Sequence, residues 1–361
     1  MKLGYFTMPL HAVGRDWRQT LAEDREAVLL AEELGFEEAF IGEHLTDLAE
    51  TITSCLIFIA TLARDTKRIR LGSGTVNLAN RHPALTAAEI AMVDTLLEGR
   101  FILGVGPGGL RSDAEITQTL DEDRNAIFVE AMEHMVALWT QEAPYRREGK
   151  RWRLTTERTA QPDIGMGAML KPFQKPHPPI VITAIIPDSE GIAAAAARGW
   201  TPISANFVQP WVVRTHWGKY VEGCARGGRE ARGEDWRVAK SIFVADDDAT
   251  LRRLTRDPGN PFAYYFENLR RKASRGMALF KHDPALSDDV LTQDYLVSQL
   301  LISGGVSEVV ERLLQFREQA GPFGRLLYCG HDWIDAPAMR RSMRLMAEEV
   351  LPRVNRALGE A

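Results

Sequence analysis

Proton transfer near neutral pH calls for an imidazole, and His44 is the histidine that follows directly on an apolar strand-like segment, Glu38 to Gly42. On local sequence alone it reads equally as an acid/base or as a structural residue. Glu43 beside it points to the other side of an extended chain, so it should orient a neighbour rather than share the same proton. Gly104, Gly106 and Gly109 spell GxGxxG, the pattern that brings backbone against a pyrophosphate in dinucleotide folds. Here it sits in the fourth strand-helix unit, and no strand ending in an acid follows about 20 residues on. It therefore reads as a tight turn whose backbone approaches something flat. Arg124 opens a helix and could bind a phosphate with its permanently charged fork, or pair with an acid of the run Asp121 to Asp123. Pro187-Asp188-Ser189-Glu190-Gly191 begins another helix, so its N–H groups and the Ser189 hydroxyl should cap that helix and could also hold a phosphate. The histidines show neither HExxH nor a close pair, so no metal ion is expected. With no GxSxG elbow and no P-loop, hydrolase and kinase readings lose support.

Positioning these residues takes elements that deliver them to one place. Ile69 to Gly109 reads strand, loop, helix, strand, glycine turn, a βαβ unit whose right-handed crossover brings both strand ends to one face. Pro83 can open its helix and Gly99 close it. That helix carries two apolar stripes, Leu85/Ala88/Met92/Leu96 and Ile90/Val93/Leu97. One packs on the sheet; the second wants either an adjacent helix or another subunit. Further strands are expected at Leu3 to Met8, Glu38 to Gly42, Pro178 to Ala184, Thr201 to Phe207, Trp236 to Asp246 and Gly324 to Gly330. Helices are expected at Thr20 to Gly35, Thr53 to Arg64, Asp123 to Thr140, Gly191 to Gly199, Val212 to Gly227, Ser307 to Ala320 and Ala336 to Leu358. About eight strands alternating with about eight helices predict an α/β fold of the (β/α)8 TIM-barrel type, one domain over 1–361. Two segments interrupt it: 144–179 after the fourth helix, basic and rich in proline and glycine, and 247–293 after the seventh strand, long enough for a lid. Chemistry in such barrels sits at the C-terminal strand ends. Those ends are Met8, Glu43-His44, Thr75 to Asn77, Gly106 to Gly109, Ala184 to Ser189, Ser204 to Asn206, Asp246 and Gly330 to Trp333.

Composition sets the outer bounds. The chain is 45% hydrophobic and 26% charged with a formal net charge of −5, which suits a globular protein and leaves no nucleic-acid footprint. Cys55, Cys224 and Cys329 stand far apart, so neither a disulfide framework nor a zinc cluster is suggested and a reducing cytoplasm fits. No apolar run reaches the roughly 18 residues of a membrane span, and the N-terminus reads as an opening strand rather than a signal peptide.

Glu43-His44 after strand two, Arg81-His82-Pro83 with the helix AAEIAMVDTLLEGRF, the turn GVGPGG after strand four and the closing RSMRLMAEEVLP resemble the bacterial-luciferase-like flavin monooxygenases, in particular their limonene-monooxygenase branch. The resemblance implies a two-component monooxygenase that takes reduced FMN from a separate flavin reductase. O2 would then form a flavin 4a-hydroperoxide that oxygenates a small hydrophobic substrate in a water-poor site. It puts His44 on the family's catalytic histidine, Gly106 and Gly108 where the flavin ring is approached, and Thr75, Val76 and Asn77 on the wall beside it. Arg124, Pro187, Asp188 and Ser189, with the neighbouring strand end Ala184, fall near the phosphate. Leu45 stands where luciferase itself has a second histidine, and Pro107 where it has a phosphate-binding arginine, so light emission is not expected and more of the phosphate duty falls on Arg124. Gly304-Gly305-Val306-Ser307 replaces the family's usual Gly-Thr-Pro turn. A homodimer is the expected assembly. The rival readings are a deazaflavin-dependent hydride-transfer oxidoreductase and a non-catalytic flavin-binding relative.

Overall fold

The structure, a computed structural model, describes residues 1–7, 10–273 and 276–359. Met8, expected at the first strand end, lies outside the described residues. Strands β1 (Lys2–Thr7) and β2 (Glu38–Ile41) flank helix α1 (Trp17–Glu33), which begins earlier than its apolar periodicity because Asp16 caps it by accepting the Gln19 N–H. Helix α2 (Cys55–Leu62), strands β3 (Arg70–Ser73) and β4 (Val76–Asn77), helix α3 (Pro83–Leu96) and strand β5 (Phe101–Gly106) follow. Next come α4 (Arg111–Ile116), α5 (Arg124–Thr140) and a hairpin of β6 (Arg146–Glu148) and β7 (Arg153–Thr155). The chain continues through β8 (Ile180–Ala184), α6 (Glu190–Ala197), β9 (Thr201–Ser204), α7 (Pro210–Arg226) and β10 (Arg237–Val244). It ends with α8 (Asp248–Thr255), α9 (Pro261–Lys272), α10 (Gln293–Leu300), β11 (Leu301–Gly304), α11 (Val306–Ala320), β12 (Arg325–Gly330), α12 (Ala336–Leu345) and α13 (Leu351–Leu358). The fold is a (β/α)8 barrel whose staves are β1, β2, β3, β5, β8, β9, β10 and β12.

Two compact units make up the chain, one of Met1–Phe40, Leu48–Thr51 and Val181–Ala361, the other of Ile41–Asp47 and Ile52–Ile180. In the first, β8 pairs with β9, β9 with β10, β10 with β12 and β12 with β1, all parallel. β11 has no counterpart among the expected strands. It pairs with the upper half of β10, Ser241 to Val244, while the lower half of β10 pairs with β12. No punctuating residue separates β11 from α10, so the run has no signal of its own. The described residues of segment 247–293 form α8, α9 and short 3-10 turns, with Phe262, Tyr265, Phe266 and Leu269 of α9 buried. The closing helix runs over 336–358 as expected but takes a π turn at Met346–Val350, just before Pro352, which lacks the N–H that would continue an α-helical ladder.

In the second unit β3 and β4 both pair with β5 in parallel. Pro83 starts α3, and Gly99 follows its end at φ 84°. Of its two stripes, Ile90, Val93 and Leu97 are buried, whereas Leu85 is 67% and Met92 66% exposed. No helix of this unit covers that second stripe. The excursion 144–179 is pinned at its end by Gln174, which donates from its backbone and side-chain nitrogens to both carboxylate oxygens of Asp94 and to the Phe101 carbonyl.

A buried ion pair in the first unit ties two staves at their N-terminal ends. Arg237 opens β10, Glu38 opens β2, and the two form a bidentate pair at 2.7 and 2.9 Å with 6% and 1% of their surfaces exposed. Arg237 also donates to Thr201 Oγ1 at 3.0 Å. Gly4 is required alongside, since a Cβ there would lie 2.5 Å from Leu327 Cδ2 and 3.0 Å from Glu38 Cγ. Removing one partner strands the other charge, so Arg237→Met should cost about 3 kcal/mol and lower the thermal midpoint by roughly 6 °C. The double variant Arg237→Met/Glu38→Leu should recover part of that loss, as differential scanning calorimetry would read.

Candidate active site

Glu43 and His44 leave β2 in opposite directions. Glu43 is buried; its Oε2 accepts the Cys55 N–H at 3.0 Å and the thiol at 3.1 Å, and its Oε1 accepts the Asn77 N–H at 3.3 Å. Asn77 Nδ2 returns a bond to the Glu43 carbonyl at 3.2 Å. Glu43 thus joins the loop after β2 to β4, and burial together with its carboxylate pushes the Cys55 thiol well up. His44 meets Asp113 instead, Nδ1 to Oδ2 at 2.9 Å. Asp113 lies on α4 and is 1% exposed. Its carboxylate also accepts the Leu45 N–H at 3.1 Å, the Thr46 N–H at 2.9 Å and the Thr46 hydroxyl at 2.6 Å. Burial alone would raise this acid, but the bonds from His44, Thr46 and Leu45 outweigh it and hold it at about 2. An ionised carboxylate only accepts, so Nδ1 of His44 carries the proton and Nε2 is the basic nitrogen of the neutral ring.

The expected wall of the site is built around β4 and the glycine turn. The Gly74–Thr75 peptide is cis. Thr75 Oγ1 donates to Asn77 Oδ1 at 3.3 Å, and Val76 is fully buried opposite Val105. A Cβ on Gly106 would come within 3.1 Å of Thr75 Oγ1, so a larger residue here would require Thr75 to give by a few tenths of an ångström. Gly108 adopts φ 86° and its carbonyl accepts Arg124 Nη1 at 2.8 Å, while Gly109 has open space where a Cβ would stand. Arg124 therefore supports the glycine turn directly, and Asp123 is occupied as the cap of α5, accepting the Asn125 and Ala126 N–H groups.

In the first unit β8 ends at Ala184, whose carbonyl accepts the Ala205 N–H. Pro187 and Asp188 form the turn that follows, Asp188 at φ 53° with its N–H donated to Thr215 Oγ1 at 3.0 Å. Ser189 stands at the N-cap of α6 by backbone, but contrary to expectation its hydroxyl makes no capping bond. Its carbonyl takes the Ile192 N–H in a 3-10 turn. Strand ends of this unit carry two buried polar clusters. His11 lies between Asp24 and Asp332 at 3.2 Å from each. Burial would lower its pKa, but the two acids outweigh that and lift it to about 9, so the ring is cationic at neutral pH. Glu23 adjoins this cluster, and Arg15 bridges it to Asp332, so the acids already have cationic partners and the group is no ready metal site. The second cluster joins Asn206, Ser241 and Tyr265 of α9 to His331, which burial lowers to about 3. Asp246, another expected strand end, instead pairs on the surface with Arg341.

Residues 1–322 match the family model described as luciferase-like monooxygenase. The chain belongs to that family. It is 30% identical over 368 residues to 4-hydroxyprotoasukamycin monooxygenase of Streptomyces nodosus subsp. asukaensis, covering 99% of this chain and 93% of the relative. It is 27% identical over 357 residues to limonene 1,2-monooxygenase of Rhodococcus erythropolis, covering 99% and 87%. Among solved structures, the oxygenating constituent of 3,6-diketocamphane monooxygenase from Pseudomonas putida, a type II Baeyer-Villiger monooxygenase in complex with FMN, aligns with a TM-score of 0.87 at 26% identity over 98% of each chain. The luciferase-like resemblance, the barrel and the assignment as a monooxygenase thus hold.

Asp113 and Thr46 are the members of the His44 site that sequence reasoning missed. The available signal was an acid four residues beyond the glycine turn, in the short helix α4 that follows β5. Because the folded-state pKa of Asp113 is depressed, its contribution to stability is complete above about pH 4 and is lost as pH falls towards 2. Asp113→Asn should therefore flatten the acid limb of a thermal-midpoint profile between pH 5 and 2.5. Its amide can donate to Nδ1 and favour the wrong tautomer, so turnover at neutral pH should fall by roughly 10–100-fold.

Proposed function

We propose that this luciferase-like monooxygenase is the oxygenating component of a two-component system that takes reduced FMN from a separate flavin reductase and oxygenates a small hydrophobic substrate. The observation that carries the reading is the His44–Asp113 pair, a histidine of defined tautomer at a strand end, in a chain that aligns along its whole length with an FMN-bound monooxygenase. The residues present fit the cofactor. Gly109 is open, Gly108 takes a left-handed turn, and the Ser189 hydroxyl is not bonded to α6. On this reading Thr75, Val76, Asn77, Gly106 and Gly108 border the ring, while Arg124, Ala184, Pro187, Asp188 and Ser189 serve the phosphate end, Arg124 by fixing the glycine turn. Bound reduced FMN supplies two electrons to O2, so that one oxygen atom enters the substrate and the other leaves as water. His44 holds its Nδ1 proton against Asp113 and gives or takes a proton at Nε2. Within the expected lid segment 247–293, α9 is fastened by Tyr265 to Asn206 and by Lys272 to Glu50.

Several features support the rest of the assignment. The three cysteines are free and buried, which suits a reducing cytoplasm. No helix among the described residues is long and apolar enough to cross a membrane. The purified protein, mixed anaerobically with photoreduced FMN and then with O2 and a terpene ketone or olefin panel, should form an oxygenated product, detected by mass spectrometry with one 18O atom from labelled O2. His44→Ala should cut product formation by roughly 100-fold while leaving FMN binding within about threefold. Tight binding of a deazaflavin in preference to FMN, or flavin binding without turnover that His44→Ala could affect, would overturn the reading.

The uncovered stripe of α3, with Ile57 of α2 also exposed, is the surface for a homodimer. Met92→Glu combined with Leu85→Lys should convert the protein to a monomer in light scattering at micromolar concentration without lowering its helix content.

A further inference from the structure

His216 sits in the middle of α7 with no exposed surface, and no part of the proposed chemistry uses it. Its hydrogen bonds nevertheless have forced directions. Trp236 Nε1–H, which can only donate, gives its proton to Ser204 Oγ at 3.0 Å. The carbonyl of Ile186, 3.2 Å from His216 Nε2, can only accept, so the proton of the neutral ring lies on Nε2. Nδ1 is then the acceptor, and the Ser204 hydroxyl, 3.0 Å away, donates to it. Trp236 is itself immobilised, fully buried and stacked on Trp217 with centroids 5.2 Å apart. A one-way relay of three bonds therefore runs from the root of β10 to the turn after β8.

That turn is held by two adjacent residues of α7. His216 draws the Ile186 carbonyl, Pro187 offers no N–H, and Thr215 draws the Asp188 N–H. With Asp188 at φ 53°, these holds determine where the N–H groups at the start of α6 point, beside a Ser189 hydroxyl not committed to the helix. A side chain needed only to fill space would be apolar here, because an imidazole must find a partner for each nitrogen. We propose that His216, which touches no cofactor itself, is the positioning residue that sets the 185–189 turn to receive the phosphate of FMN; this rests on the flavin reading above. The neutral ring is essential, since a second ring proton would face the Ser204 hydroxyl, and burial keeps the pKa down at about 4.

The test compares photoreduced FMN with photoreduced riboflavin, which lacks the phosphate, in anaerobic spectral titrations of wild type, His216→Phe and His216→Gln. His216→Phe should weaken FMN about tenfold, the equivalent of one hydrogen bond's worth of misplaced donors, and leave riboflavin within about twofold. His216→Gln keeps an N–H near the position of Nε2 and should restore most of the FMN affinity. In hydrogen exchange without ligand, the peptide over 185–192 should lose protection in His216→Phe only. A folded His216→Phe that keeps the wild-type FMN-to-riboflavin ratio, or keeps the protection, overturns the proposal alone. If His216→Phe does not fold, Ser204→Ala, which frees the ring to turn, must show a smaller FMN-specific loss or the proposal fails. Wild type that binds FMN and riboflavin alike overturns the phosphate reading and this proposal with it.

Discussion

The Asp113 carboxylate is the contact on which the His44 region depends. It accepts from the imidazole, from two consecutive backbone N–H groups and from a hydroxyl, all within residues 44–46. Without it the half-buried ring of His44 and the N–H groups of Leu45 and Thr46 would lose their common acceptor, and the loop after β2 the contact that holds it to α4. The same acid does two jobs that cannot be separated: it fixes the loop, and it decides which ring nitrogen is basic. Glu43 performs the complementary task on the opposite face of the chain, tying the loop to Cys55 and Asn77. One dipeptide thus faces two ways, and both ways end in a carboxylate bond.

The barrel was legible because its signals are redundant. Strand after strand is short, apolar and followed by a helix with a punctuating Gly or Pro, so an error at one boundary leaves the order intact. The starts of α1 and α2 moved by a few residues because Asp16 and Ser54 cap them, and a cap is set by side-chain geometry rather than by periodicity. What the sequence could not announce were elements too short to have a period. The three-residue strands of the hairpin and the four residues of β11 exist because partners pair with them.

Within the site the division is similar. His44 could be found because a strand end is a local property, whereas Asp113 could not, since its importance arises from a contact across 69 residues of sequence. The glycines show how one letter admits two causes. Gly106 yields to Thr75, Gly108 to its own backbone angle, and Gly109 alone has empty space at its Cβ. Ser189 exposes the opposite error, a residue type ideal for capping whose hydroxyl does not cap.

Four histidines in this chain carry three different assignments, and composition says nothing about which. His11 gains a proton because two carboxylates repay its desolvation. His331 and His216 lose theirs because no acid does so, and each is left to partner hydroxyls or carbonyls as a neutral ring. His44 differs from both, because its one acid is shared with the Leu45 and Thr46 N–H groups and the Thr46 hydroxyl. That ionised carboxylate only accepts, so what it settles at His44 is the tautomer, leaving Nε2 as the nitrogen without the proton in the neutral ring.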